Sequence, residues 1–305
     1  MAVCEPFESP SRLIETFFKT RSEADRVKQK AADILKLLSN AEARLNKKIA
    51  LQTEELARCA KMEEYRQLAD LIHAHMVEIK RGMKSVQVDN YFTDPVQRIE
   101  IPLDERLSAS ANAQRYYKKY NKAKAAKSAL SAQIEIAKAD LDYISSVFDA
   151  LTRAKTTAEL EEIRQELYET GFASRMKNYV KKKAAPGKPL EYTSSEGFRI
   201  LCGKNNTQND LLTFKTADKN DYWFHVKNAP GSHVILCCRG QEPPERAFTE
   251  AACIAAAHSK LSDGENVPVD YTKVRNVKKP PGGKPGYVIY HTNWTAYVSP
   301  EKYKR

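Results

Sequence analysis

The sequence predicts an α+β protein: a long antiparallel coiled-coil hairpin with a small α+β tip, followed by a compact α+β C-terminal domain. Three observations lead there. Two long helical seams flank a strand-like interlude, and beyond Leu190 the chain turns to short alternating segments that hold both tryptophans and most of the glycines.

The first arm spans residues 11–61. Val27, Ala31, Ile34, Leu38, Ala41 and Leu45 step by four and three alternately, the spacing of a coiled-coil seam. The pattern resumes one place late at Ile49 and Leu56, a stutter that locally unwinds a supercoil. Residues 62–108 form the tip: a helix from Met62 to Arg81, a stop at Gly82, then "SVQVDNYF" and "RIEIPLD" alternating as strands around "TDP". His73 and His75 fall on different faces of that helix and read as structural. The second arm, residues 109–152, carries the seam Tyr116, Tyr120, Ala123, Lys127, Leu130, Ile134, Ala137, Leu141, Ile144, Phe148, Leu151, in which only Lys127 is out of character. At the helical rise it is about 54 Å long, and two such seams in one chain most simply pair with each other.

Residues 153–189 hold a short helix, "TAELEEIRQELYET", capped at Thr156 or Thr157 and stopped at Gly171, and the basic linker "SRMKNYVKKKAAPGKPLEY". In the last domain, residues 190–305, "FRILCG", "LLTFKT", "YWFHVK", "HVILCC", "GYVIYH" and "TAYVS" read as strands. An Ala-rich helix from Pro244 to Lys260 offers a small-residue face to a sheet.

With 50 Lys+Arg against 39 Asp+Glu the net charge is +11, which favours an anionic partner such as nucleic acid. No apolar run approaches the roughly 20 residues of a membrane span, and the first residues lack the order of a signal peptide. The expectation is a cytoplasmic protein with no membrane partner. Six cysteines lie scattered without a CxxC pair, mostly among apolar neighbours, and read as free thiols. No metal or cofactor is expected. Catalysis finds no motif either: GxSxG, HExxH and the dinucleotide fingerprint are all absent.

Five stretches suit RNA. In "YWFHVK" alternation puts Trp223, His225 and Lys227 on one strand face, an aromatic plate, an imidazole and a cation that together suit a stacked base and a phosphate. A Trp buried under a helix beside a satisfied His gives the same string. Upstream, "GKNNTQND" gathers Lys204, Asn205, Asn206, Gln208, Asn209 and Asp210 into one loop rich in amide donors and acceptors, although such residues also make ordinary turns. The turn "APGSH" adds Ser232 and His233, and "YTKVRNVKKPPGGKPGY" adds Lys273, Arg275, Lys278, Lys279 and Lys284. On the second arm, "RYYKKYNKAKAAK" contains no acid. Arg115, Lys118, Lys119, Lys122 and Lys124 crowd its outer face, a single-sign stripe suited to an RNA backbone.

These stretches, "GKNNTQNDLLTFKTADKNDYWFHVKNAPGSHVIL" and "VPVDYTKVRNVKKPPGGKPGYVIY" above all, resemble the C-terminal RNA-binding module of the NFACT family, bacterial ribosome-quality-control factors also labelled fibronectin-binding protein A-like. "NAQRYYKKYNKAKAAK" and "GMKSVQVDNYF" resemble that family's coiled-coil and middle regions. The resemblance implies a non-enzymatic factor that recognises a large ribosomal subunit obstructed by peptidyl-tRNA. It further implies contacts with rRNA, recruitment of alanyl-tRNA, and support of C-terminal alanine tailing, with peptidyl transfer by the ribosome. It carries the motif positions onto Lys204, Asn205, Asn206, Asn209, Asp210, Trp223, His225, Lys227, Pro230, Gly231, Ser232 and His233. The family's older label implies an alternative, a surface adhesin for fibronectin. Full-length members also begin with an N-terminal domain bearing an Asp-Arg motif and a helix-hairpin-helix element. Nothing in this sequence corresponds to them, so the chain reads as a fragment, and tailing by it alone does not follow.

Overall fold

A computed structural model describes residues 9–173 and 187–300. Cys4 and most of the basic linker lie outside them. The chain divides into two compact units, Arg44–Asp140 and Met1–Ala43 together with Leu141–Arg305.

Within Arg44–Asp140, the end of helix α1 (Pro10–Arg58) runs antiparallel to the first part of helix α3 (Ala109–Arg153). Gln52 donates to Gln133, and Leu51, Glu54 and Arg58 line one groove with Lys119, Lys122, Ala123 and Ala126. The stutter is visible in burial: Leu45, Ile49, Gln52 and Leu56 are part-covered and Cys59 is buried. On α3 the seam passes through Ala126, because Lys127 is exposed and its charge stays in water.

The helix expected from Met62 to Arg81 is shorter. As α2 it covers Met62–Ala74 and closes at His75, whose N–H donates to Leu71. Strands β1 (Ser85–Asn90) and β2 (Gln97–Pro102) pair antiparallel, with Val86 opposite Ile101 and Val88 opposite Ile99. Their apolar side packs on Leu71, Ile72, Ala113 and Tyr116.

In the other unit, α4 (Thr157–Glu169) starts at a capping box in which Thr156 Oγ1 accepts from the Glu159 N–H and the Glu159 carboxylate accepts from the Thr156 N–H. The remaining elements are β3 (Leu190–Thr193), β4 (Arg199–Cys202), α5 (Asn206–Leu211), β5 (Tyr222–Val226), β6 (Val234–Leu236), α6 (Glu245–Ala257), β7 (Val267–Lys273), β8 (Val277–Lys278), β9 (Ile289–Tyr290) and β10 (Trp294–Val298). A six-stranded antiparallel sheet runs β10-β7-β5-β6-β4-β3, and β8 with β9 forms a separate ribbon.

Phe224, Val226, Val234, Leu236 and Val269 face the alanines of α6 in one core. On the other side Trp223, Leu201 and Ile235 pack with Leu212, Val274 and Val277 in a second core. Both faces of the central strands are therefore buried. "LLTFKT" is helical rather than a strand: Asn205 caps the turn by accepting from the Gln208 N–H, and the helix continues through Thr216. β7 lies outside the segments expected as strands, because Pro268, Asp270 and Thr272 on one face mask the alternation of Val267, Val269 and Tyr271. Cys202 and Cys238 are buried thiols, and Cys237 and Cys253 are part-buried. Among the described residues no helix is long and apolar enough to cross a membrane, and no group of three or more His, Cys, Asp or Glu is placed to hold a metal ion.

Candidate nucleic-acid interface

The loop after β4 turns inward. Gly203 admits the approach, since any Cβ there would overlap the Asn209 carboxamide. The loop meets α4, where Glu159, Glu162 and Glu166 recur at three and four residues and so share one face. Lys204 Nζ pairs with Glu159 at 2.9 Å. Glu162 accepts from Asn205 Nδ2 at 2.7 Å, from Gln208 Nε2 at 2.8 Å and from the Gly187 N–H at 2.8 Å. Glu166, 2% exposed, accepts from the Tyr143 hydroxyl, from Asn206 Nδ2 and from the Thr207 N–H and hydroxyl, all within 3.1 Å. Burial holds its carboxyl above the ordinary value, and those donors work against that shift.

Asn209 accepts from the His233 N–H at 3.1 Å, and Asp210 accepts from the Gly286 N–H at 3.0 Å and pairs with Lys279. Lys204, Asn205, Asn206, Asn209 and Asp210, expected as RNA contacts, thus bind the chain's own carboxylates and backbone. The amides of Asn205 and Asn206, with that of Gln208, dock the loop on α4.

The expected aromatic plate is also covered. Trp223 is 0% exposed, with the His225 ring stacked on it, the His233 ring edge-on and the Tyr290 ring tilted, at centroid distances of 5.7, 5.2 and 4.9 Å. No base reaches it. Its Nε1–H finds no acceptor among the described residues. Desolvation lowers the His225 pKa to about 4 and pushes that of His233 well below the ordinary imidazole value. Both rings are neutral, and His233 Nδ1 lies 2.7 Å from Thr213 Oγ1. Ser232, also 0% exposed, accepts from Arg153 Nη1 at 2.7 Å and donates to the Gly203 carbonyl. Of the strand's polar row Lys227 is exposed, its ammonium 3.7 Å from Asp270, and His225 is part-exposed.

Lys273 is part-exposed and lies over the Tyr222 ring, and Lys278 is exposed. The cations of α3 stand in solvent as expected. Arg115 pairs with Asp104 at 3.1 Å, Lys119 lies over the rings of Tyr65 and Tyr116, and Lys124 lies over Tyr120. Two features escaped the sequence reading. The Glu159, Glu162, Glu166 face looks like any solvated helix face, although its three-and-four spacing opposite an amide-rich loop was a signal. Trp294, 52% exposed on β10, lies one residue before the "TAYVS" run that alternation marks as the strand.

Comparison with known proteins gives concordant matches. Residues 2–186 match the family model described as NFACT N-terminal and middle domains, and residues 188–291 match the NFACT protein RNA binding domain. The first match corrects in part the expectation that nothing here corresponds to the family's N-terminal region. The Rqc2 homolog RqcH of Bacillus subtilis (strain 168) is 38% identical over 297 residues, 97% of this chain and 52% of that protein. The Rqc2 homolog RqcH of Streptococcus suis (strain 05ZYH33) is 39% identical over 299 residues, 98% of this chain and 53% of that protein. A solved structure of the C-terminal of the fibronectin/fibrinogen-binding protein from Streptococcus suis superposes with TM-score 0.72 at 36% identity, covering 90% of this chain and 96% of that one. The chain spans about half the length of the curated relatives it matches.

Proposed function

The chain belongs to the NFACT family, and from that premise we propose that it is the RNA- and ribosome-binding part of a ribosome-quality-control factor. The observation that carries this reading is the match of residues 188–291 to an RNA binding domain, joined to relatives named as Rqc2 homologs. In this role the chain engages rRNA and tRNA on an obstructed large subunit in the cytoplasm. The whole factor recruits alanyl-tRNA for tailing of the stalled chain, and the ribosome makes the peptide bonds. No catalytic role is assigned to any residue. The contacts assigned to RNA are the exposed cations Arg115, Lys118, Lys119, Lys122 and Lys124 on α3 and Lys227 and Lys278 at the sheet, with the part-exposed Lys273.

The test is a titration of the chain with tRNA and with purified large subunits across a salt series. Affinity is expected to fall steeply as salt rises, because each phosphate contact releases counterions. Neutralising the five α3 cations should weaken binding at low salt. Absence of binding to either RNA at low salt would sink the reading. The likeness to a protein described as binding fibronectin and fibrinogen supports a second reading, a fibronectin contact. Salt-resistant capture by immobilised fibronectin, without RNA binding, would favour it.

A further inference from the structure

The register of the large sheet aligns three aromatic rings across neighbouring strands. Phe224 of β5 stands opposite Tyr271 of β7, and Tyr271 stands opposite Trp294 of β10. The rings are close to parallel: Phe224 and Tyr271 lie 5.4 Å apart at 18°, Tyr271 and Trp294 5.7 Å apart at 29°. Along the row exposure climbs from 0% at Phe224 to 52% at Trp294. β10 is the edge strand, and among the described residues no ring other than Tyr271 lies against the indole.

We infer that Trp294 is a stacking platform for an unpaired nucleobase, which takes the next place in the aromatic row. This rests on the RNA-binding reading and assigns it a contact that the sequence had placed at Trp223. Every base offers a π-face, so such a platform accepts single strands with little regard to sequence. Two lysines suited to phosphates lie on or next to the neighbouring strands. Lys273 follows Tyr271 by two positions and so shares its side of the sheet. Lys227 reaches the edge strand from the other side, its Nζ 3.5 Å from Thr295 Oγ1 and its side chain 44% exposed. Tyr297, 66% exposed, adds a ring on that other side. An exposed edge with aromatic side chains also suits strand addition by a protein. The bordering ammoniums and the net charge of +11 favour the polyanion.

The chain has two tryptophans, and Trp223 is buried, which gives a direct optical test. Titrating the whole chain with a short single-stranded oligo(A) should quench its tryptophan emission. Trp294→Phe should abolish the quench while still binding the strand, and Trp294→Ala should bind it about tenfold more weakly at unchanged melting temperature. Oligo(A) bound equally well by wild type and Trp294→Ala, with an undiminished quench in Trp294→Phe, overturns the platform and leaves the RNA reading standing. Failure to bind oligo(A), tRNA or subunits at low salt overturns both. A dimer that alters Trp294 emission without RNA would assign the edge to a second copy and overturn the platform alone.

Discussion

At the scale of single residues, Trp223 and the two imidazoles beside it do structural work. A buried indole that fills a core leaves a large void when truncated, so Trp223→Ala should destabilise the chain by about 3–5 kcal/mol in a denaturant titration. Any loss of RNA binding should then track unfolding rather than precede it. Loss of affinity in a variant that melts like wild type would restore Trp223 as a contact. The imidazoles make stability depend on pH. Unfolded His225 takes up a proton near pH 6.5, whereas the folded residue waits until about pH 4. Between those values the unfolded state binds more protons, so stability falls as pH drops through the window and the penalty is complete below it. Glu166 and Asp149, held above their ordinary values by burial, act in the opposite sense, since their folded forms keep the proton longer as pH rises. The imidazole share is isolated by comparing His225→Gln with wild type. Its melting temperature should change less between pH 6.5 and 4.5, and parallel curves would show that His225 does not titrate there.

At the scale of elements, the face of α4 and the loop Gly203–Asp210 form one buried polar joint. Removing the Glu166 carboxylate takes a shared acceptor from the buried Tyr143 hydroxyl and Asn206 amide and from the exposed Thr207, at a cost of about 3 kcal/mol. Asn206→Ala should cost less. A double-mutant cycle should show coupling on the order of 1 kcal/mol or more, because the two share a network. Purely additive effects would mean the amide and carboxylate act separately. The joint also explains what could be read beforehand. Alternation correctly gave β1, β2, β5 and β10, and the four-three step gave the buried positions of α1 and α3. The side of β5 that lies against "LLTFKT" was misjudged, because a polar row in a strand reads alike whether it meets solvent or a satisfying partner. The loop Gly203–Asp210 hides its role likewise: the partner of Asn205 and Gln208 is Glu162, more than forty residues away on α4, a pairing that no local pattern encodes. β7 was missed for a related reason: Asp270 occupies a strand interior only because the Tyr290 and Thr295 hydroxyls donate to it.

At the scale of the whole molecule, the two compact units each bear exposed cations, those of α3 in one and those flanking β10 in the other. The family resemblance was legible because its motifs are long. The residues within them that would touch RNA were not, since burial sorts a motif into docking and contact positions only after folding. If both units hold the same RNA, counterion release makes their contributions additive in the slope of log affinity against log salt, at about 0.7 per contact for a single strand. Replacing Lys118, Lys122 and Lys124 by Gln should therefore lower the slope by about 2. Replacing Lys273 should lower it by about 0.7, and the combined variant should show both reductions. Arg115 and Lys227 should matter less than these, because Asp104 and Asp270 lie 3.1 and 3.7 Å from them and phosphate must compete with those carboxylates. A combined variant with no lower slope than one of its parents would mean that only one unit meets the RNA.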